Sequence, residues 1–97
     1  MNIWVYILKC SDGSYYTGSH RGDDMRGRLW EHKNAVYPKS YTAKRLPVEL
    51  VWTECFEEAE PAISFEQQIK GWSRKKKEAL IRGDWEALPK LSKRGPA

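Results

Sequence analysis

The chain has 97 residues, 40% of them hydrophobic, enough for one small domain with a single core. No stretch approaches the ~18 consecutive apolar residues of a membrane span, and no signal peptide opens the chain. Two cysteines, Cys10 and Cys55, are too few to staple a secreted mini-protein, so the reading is a cytoplasmic protein with reduced thiols. The formal charge of +4 is polarised: residues 68–97 carry nine basic side chains against three acidic, residues 1–67 eight against ten. A basic end of this kind fits a polyanion partner, nucleic acid above all, or simply a solvated lysine-rich helix and tail.

Ile3 to Lys9 is a β-branched and aromatic run, a strand whose continuous apolarity predicts cover on both faces. A turn at Ser11 to Ser14 returns the chain as a second strand from Tyr15 to Ser19. Asp23 or Asp24 can cap a helix running to about Ala35, with Met25, Leu29, His32 and Val36 along one side. Residues 36–47 form a loop mixing Tyr37, Lys39, Tyr41, Lys44 and Arg45, closed by Pro47. Val48, Leu50 and Trp52 alternate with Glu49, Val51 and Thr53 in a third strand. Glu60-Pro61 opens a second helix that ends near Gly71-Trp72, and Ser73 caps a third that Gly83 ends. The fold class is therefore α/β of the α+β kind, in the order β-β-α-β-α-α. One domain covers residues 1–88, and 89–97 reads as a basic, flexible tail.

Two hairpin registers are open. A two-residue Asp12-Gly13 turn puts Tyr6 and Tyr16 on opposite faces, whereas a three-residue Ser11-Asp12-Gly13 loop, with Gly13 left-handed, pairs Tyr6 with Gly18 and Leu8 with Tyr16. Both phenols then share one face, with Gly18 as an open notch beside them. In the first helix Arg28 and His32 are four apart and stack on one side. In the second, Ala62, Phe65, Ile69 and Trp72 make a buried stripe, and Glu66 lies among them. A carboxylate there needs a cation, a donor or a metal, unless it reaches solvent or bridges to Arg28.

Taken together these residues resemble the GIY-YIG nuclease superfamily. Val5-Tyr6 and, ten residues on, Tyr16-Thr17-Gly18 are similar to its two name-giving motifs. Arg28-Leu29 with His32 resembles its helix arginine and the aromatic or histidine one turn later. Ala62 to Arg74 resembles its metal-glutamate helix, in the form found in small standalone bacterial members. The likeness spans about residues 2–88. Trp4 stands where the first motif often has glycine, Thr17 replaces isoleucine, the Gly18–Arg28 loop is longer than in some members, and no asparagine follows Glu66.

The resemblance implies a three-stranded antiparallel sheet flanked by helices, and hydrolysis of a DNA phosphodiester with one divalent ion, Mg²⁺ or Mn²⁺, held by Glu66. The chemistry of the residues agrees. A hard cation suits a carboxylate that leaves its other positions to water and phosphate. Arg28 can fork onto a non-bridging oxygen. Tyr16 would orient or deprotonate the water with Tyr6 hydrogen-bonded beside it or sharing the role, and His32 would steady the phosphate or relay a proton. A tyrosine with its reference pKa of about 10 is ~0.1% phenolate at neutral pH, so nearby cations must lower it by about two units, roughly 2.7 kcal/mol, for a base role. Lys44, Arg45, Lys70, Arg74, Lys75, Lys76 and Lys77 are the candidates for backbone contacts, and Tyr37 or Tyr41 could stack on an unpaired base. Selectivity is then for DNA structure rather than sequence, in repair or processing, with no membrane and no small-molecule cofactor. A non-catalytic nucleic-acid-binding module with a degenerate site is the alternative, and a tryptophan-rich protein-interaction domain is a third.

Overall fold

A computed structural model of the protein describes residues 2–84; the expected tail at 89–97 lies outside the described residues. Three antiparallel strands, β1 (Ile3–Lys9), β2 (Tyr15–Arg21) and β3 (Glu49–Phe56), lie in the order β2-β1-β3. The helices are α1 (Arg26–Lys33), α2 (Ala59–Lys70) and α3 (Arg74–Ile81), and a single 3₁₀ turn spans Thr42–Lys44. The element order is the expected one. None of the described helices is long and apolar enough to cross a membrane.

Central position explains the apolarity of β1, because each of its faces feeds a different core. Ile3, Val5 and Ile7 pack with Ala62 and Ile69 of α2 and Leu80 of α3. Tyr6 and Leu8 point the other way and pack with Cys10, Met25 and Val48, flanked by Trp4, Tyr16, Leu29, Leu46 and Leu50.

The hairpin takes the three-residue loop. Cys10 N–H donates to the Ser14 carbonyl at 2.8 Å, Gly13 sits at φ +84°, and the ladder pairs Tyr6 with Gly18 and Leu8 with Tyr16. The left-handed φ is one that only glycine adopts without strain. Asp12 Oδ1 accepts from the Ser14 amide at 3.0 Å and the Ser14 hydroxyl at 2.6 Å, which closes the turn.

Two expectations need correcting. The strict alternation of Val48, Leu50 and Trp52 is broken by a bulge: Ile7 pairs with Trp52 but Leu8 with Leu50, so Val51 is the extra residue. Leu50 therefore joins the Tyr6 side while Trp52 turns to the helix side, against Phe65 at 5.9 Å between ring centroids. Helix α1 also stops at Lys33, short of Ala35. Ala35 is left-handed at φ +49°, its amide bonds the His32 carbonyl at 3.3 Å, and the Val36 amide reaches back to the Glu31 carbonyl at 3.1 Å. This is a Schellman ending with alanine in the glycine position. It swings Val36 out of the apolar line, leaving it 42% exposed. At the end of α3 the same motif uses Gly83, φ +74°, as the sequence predicts. Ser73 caps α3, its hydroxyl accepting from the Lys76 amide at 3.2 Å.

Candidate active site

Tyr6 is the hub of the site. Its ring lies over Gly18, and a Cβ at that glycine would stand 2.6 Å from Tyr6 Oη and 2.9 Å from Tyr16 Cε2. The notch expected beside Gly18 is thus filled by the end of the Tyr6 phenol. Tyr6 Oη lies 2.8 Å from His32 Nε2 and accepts from Arg28 Nε at 3.3 Å. The four-residue spacing of Arg28 and His32 on α1 brings both to one hydroxyl. Tyr16 presents its half-buried ring to the same cluster, with centroids 6.3 Å from Tyr6 and 5.4 Å from His32. Among the described residues none hydrogen-bonds the Tyr16 hydroxyl.

Glu66 approaches from α2, which packs against all three strands. Its side chain is 14% exposed and forms a loose pair with Lys70, Oε1 to Nζ 3.6 Å. The alternative pairing with Arg28 is not made, because Arg28 Nη1 is 3.3 Å from Glu31 Oε1 instead. Glu66 is nonetheless close enough for its charge to disfavour a phenolate at Tyr6.

Burial separates the roles of these groups. Tyr6 has no exposed surface, and desolvation pushes its pKa above the usual phenol value; the hydrogen bond and charge of Arg28 oppose this without overcoming it, while Tyr16 and Glu66 reinforce it. Tyr6 is therefore a neutral hydroxyl at physiological pH. His32 is buried as well, and desolvation followed by the Arg28 charge holds its pKa below the ordinary imidazole value. One carboxylate with a single loose partner fits a hard divalent ion that retains several waters. Among the described residues no group of three His, Cys, Asp or Glu side chains converges.

The GIY-YIG catalytic-domain model matches residues 2–79. The chain belongs to the GIY-YIG family. This is a family of nucleases, and the hairpin register aligns Tyr6 and Tyr16 on one face. The chain is 42% identical over 95 residues to a UPF0213 protein of Halalkalibacterium halodurans, covering 95% of this chain and 98% of that one. It is 46% identical over 77 residues to a UPF0213 protein of Haloquadratum walsbyi, covering 79% and 83%. The solution NMR structure of a UPF0213 protein from Bacillus halodurans is 40% identical and superposes with a TM-score of 0.54, over 97% of this chain and 100% of that one.

Around the GIY-YIG centre the basic residues fall into two groups. Arg45 and Arg74 grip the hairpin turn from separate elements. Arg45 Nε pairs with Asp12 Oδ2 at 3.2 Å and its guanidinium lies 3.7 Å above the Tyr41 ring, while Arg74 Nη1 donates to the Gly13 carbonyl and its guanidinium covers Tyr15 at 4.9 Å. Lys44, Lys70 and Lys75 are exposed. Lys76 lies over Trp72 at 4.0 Å, and Lys77 is partly buried, its ammonium pKa lowered by desolvation. An apolar groove of about 450 Å³ between β3 and α2, lined by Trp52, Phe56, Pro61 and Phe65 with Glu54 at its rim, opens on the opposite side of the sheet from Tyr6. No basic residue lines it, so it does not suit a polyanion.

Thr42 carries no signal in the sequence, and Tyr41, a candidate there for stacking on an unpaired base, stacks within the protein. Thr42, 1% exposed, places Oγ1 2.8 Å from His32 Nδ1. Tyr41 stacks on Tyr16 at 6.0 Å and donates to Ser14 Oγ at 2.9 Å. Both come from the 36–47 loop, whose spacing carries no periodic signal. The one available hint is that a histidine on a buried helix face needs partners for two ring nitrogens.

The lowered His32 pKa has a definite consequence for folding. The native state resists protonation that the unfolded chain accepts near pH ~6.5. The stability contributed by neutral His32 is thus present above that pH and is lost as pH falls toward its lower folded value. Thermal denaturation should show Tm falling from about pH 7 to about pH 5. That range lies above the titration of Asp12 and Asp24, whose carboxyls are held low chiefly by side-chain hydrogen bonds from Ser14 and Arg26. A His32→Gln variant should flatten this slope; an equal slope in both proteins would contradict the assignment.

Proposed function

We propose that the protein is a divalent-metal-dependent endonuclease that hydrolyses DNA phosphodiester bonds, selecting DNA structure rather than sequence, in repair or processing in the cytoplasm. The observation that carries this reading is the convergence of Arg28 and His32 on the Tyr6 hydroxyl, with Tyr16 against the same cluster and Glu66 within its electrostatic reach. Tyr16, whose hydroxyl no described residue engages, orients the attacking water or takes its proton. Tyr6, buried and neutral, holds Arg28 at its Nε. With Nη1 donating to Glu31 Oε1, the Nη2 arm of the guanidinium remains to donate to a non-bridging phosphoryl oxygen. His32, bonded at both nitrogens, serves the proton relay rather than the phosphate itself. Glu66 would hold Mg²⁺ or Mn²⁺, which when bound supplies charge neutralisation at the leaving 3′ oxygen. Lys44, Lys70, Lys75, Lys76 and Lys77 supply the field along the backbone, and Arg45 and Arg74 add charge while holding the turn.

The test is cleavage of end-labelled single strands, duplexes, nicked duplexes and flaps in Mg²⁺ or Mn²⁺, with Glu66→Gln alongside. Metal-dependent cleavage by the wild type, lost in Glu66→Gln with DNA binding retained, is the expected result. Binding without cleavage of any substrate makes the domain a non-catalytic module, and no DNA affinity at about 50–200 mM salt removes nucleic acid altogether.

A further inference from the structure

We infer that Thr42 is a positioning residue that fixes His32 in the tautomer with its proton on Nδ1, so that Tyr6 donates to His32 and presents its oxygen to Arg28. The inference deepens the nuclease reading and rests on it only for its catalytic consequence. Arg28 Nε can only donate, so at 3.3 Å the Tyr6 oxygen is the acceptor. The Tyr6 hydroxyl proton is buried with the rest of the side chain, and among the described residues His32 Nε2, 2.8 Å away, is the acceptor within reach. Nε2 must then carry the lone pair, and a neutral imidazole with a free Nε2 carries its proton on Nδ1.

Thr42 is what makes that tautomer tolerable in a dry site. Its Oγ1 lies 2.8 Å from Nδ1 and is placed to accept the Nδ1–H hydrogen bond, with Ser40 Oγ, 3.4 Å from Oγ1, within reach of its own hydroxyl. Without this acceptor Nδ1–H would be buried and unpartnered, and the Nε2–H form would compete. That form would leave two donors aimed at the Tyr6 oxygen and the phenolic proton with nowhere to go. The 3₁₀ turn presents Thr42 rigidly, because the Arg45 amide bonds the Thr42 carbonyl at 3.0 Å and Arg45 with Tyr41 ties the loop to the hairpin turn. The relay thus runs in one direction, from Arg28 through Tyr6 and His32 to Thr42.

The experiment is long-range ¹H–¹⁵N correlation NMR of the full chain with labelled histidine, with His32→Gln distinguishing His32 from His20, the second of the two histidines. At neutral pH wild-type His32 should show the Nδ1–H pattern. Thr42→Val, nearly isosteric, should shift it toward Nε2–H, and Thr42→Ser should restore it. Turnover should follow: kcat down about ten- to a hundredfold in Thr42→Val with KM little changed, and largely recovered in Thr42→Ser. An Nε2–H pattern in the wild type overturns the inference even if Thr42→Val fails to fold. So does an unaltered tautomer in a folded Thr42→Val. The tautomer pattern without cleavage of any DNA upholds the positioning role and removes the nuclease reading instead.

Discussion

Gly18→Ala should destabilise the domain and slow cleavage about a hundredfold at one stroke. The added methyl would meet the hydroxyl oxygen and Cζ of Tyr6 and Cε2 of Tyr16 below 3.0 Å. Tyr6 is enclosed by the Leu8, Met25 and Val48 cluster and tied to His32 and Arg28. Overpacking of this kind costs about 1–3 kcal/mol, and each kcal/mol lowers Tm by ~4–8 °C in a domain of this size. The Tyr6 hydroxyl must shift from His32 Nε2 and Arg28 Nε, and misplacement on the order of 1 Å at such a centre lowers the rate by about a hundredfold. Gly27→Ala is the control. That glycine lies within α1, nothing stands within 4 Å of the added methyl, and the change should stabilise by up to ~1 kcal/mol through helix propensity. Thermal melts of the two variants should therefore move in opposite directions. Equal Tm values for Gly18→Ala and the wild type would mean that the Tyr6 ring is not seated over Gly18.

Removing one hydroxyl from each motif tyrosine should have different consequences. Tyr6→Phe leaves Arg28 Nε and the His32 ring nitrogen without their shared buried partner, at a cost of about 1–3 kcal/mol. Its rate should fall because Arg28 loses its anchor, with the shape of the pH–rate profile retained. Tyr16→Phe removes a hydroxyl that no described residue engages, so stability should change by less than about 0.5 kcal/mol. Its rate should fall by about 10²–10⁴, and any rise of rate with pH governed by a phenol should vanish. Single-turnover rates from about pH 6 to 9, with denaturant melts of both variants, separate the two roles. Stability lost in Tyr16→Phe and kept in Tyr6→Phe would reverse the assignment.

Strong local chemistry is what made parts of this site legible. Ser11-Asp12-Gly13 offers a left-handed glycine and a closing aspartate, so the register that sets Tyr6 opposite Gly18 and both tyrosines on one face is one of the two the sequence leaves open, and it is the one the structure takes. Helical spacing is direct for Arg28 with His32, and for Glu66 within a stripe whose Ala62 and Ile69 are fully buried. What stayed hidden depends on contacts between elements. The bulge at Val51 has no compositional mark, since any of Leu50, Val51 and Trp52 suits a strand and only the pairing with β1 selects the extra residue. The early end of α1 uses Ala35 where the signal would have been glycine. The grip of Arg45 and Arg74 on the turn, and of Thr42 on His32, spans tens of residues or crosses an aperiodic loop.

At the centre of the account stands one claim: side chains from the hairpin, α1 and α2 act on a single phosphoryl group. Single-turnover cleavage in saturating Mg²⁺ or Mn²⁺ by Tyr16→Phe, Glu66→Ala and the double variant tests it most directly. Groups that serve one reaction step lose their effects together. The account predicts that the double variant is no slower than the slower single one, with all three proteins folded and binding DNA. Losses that multiply in the double variant, or a Glu66→Ala protein that cleaves like the wild type, would contradict it.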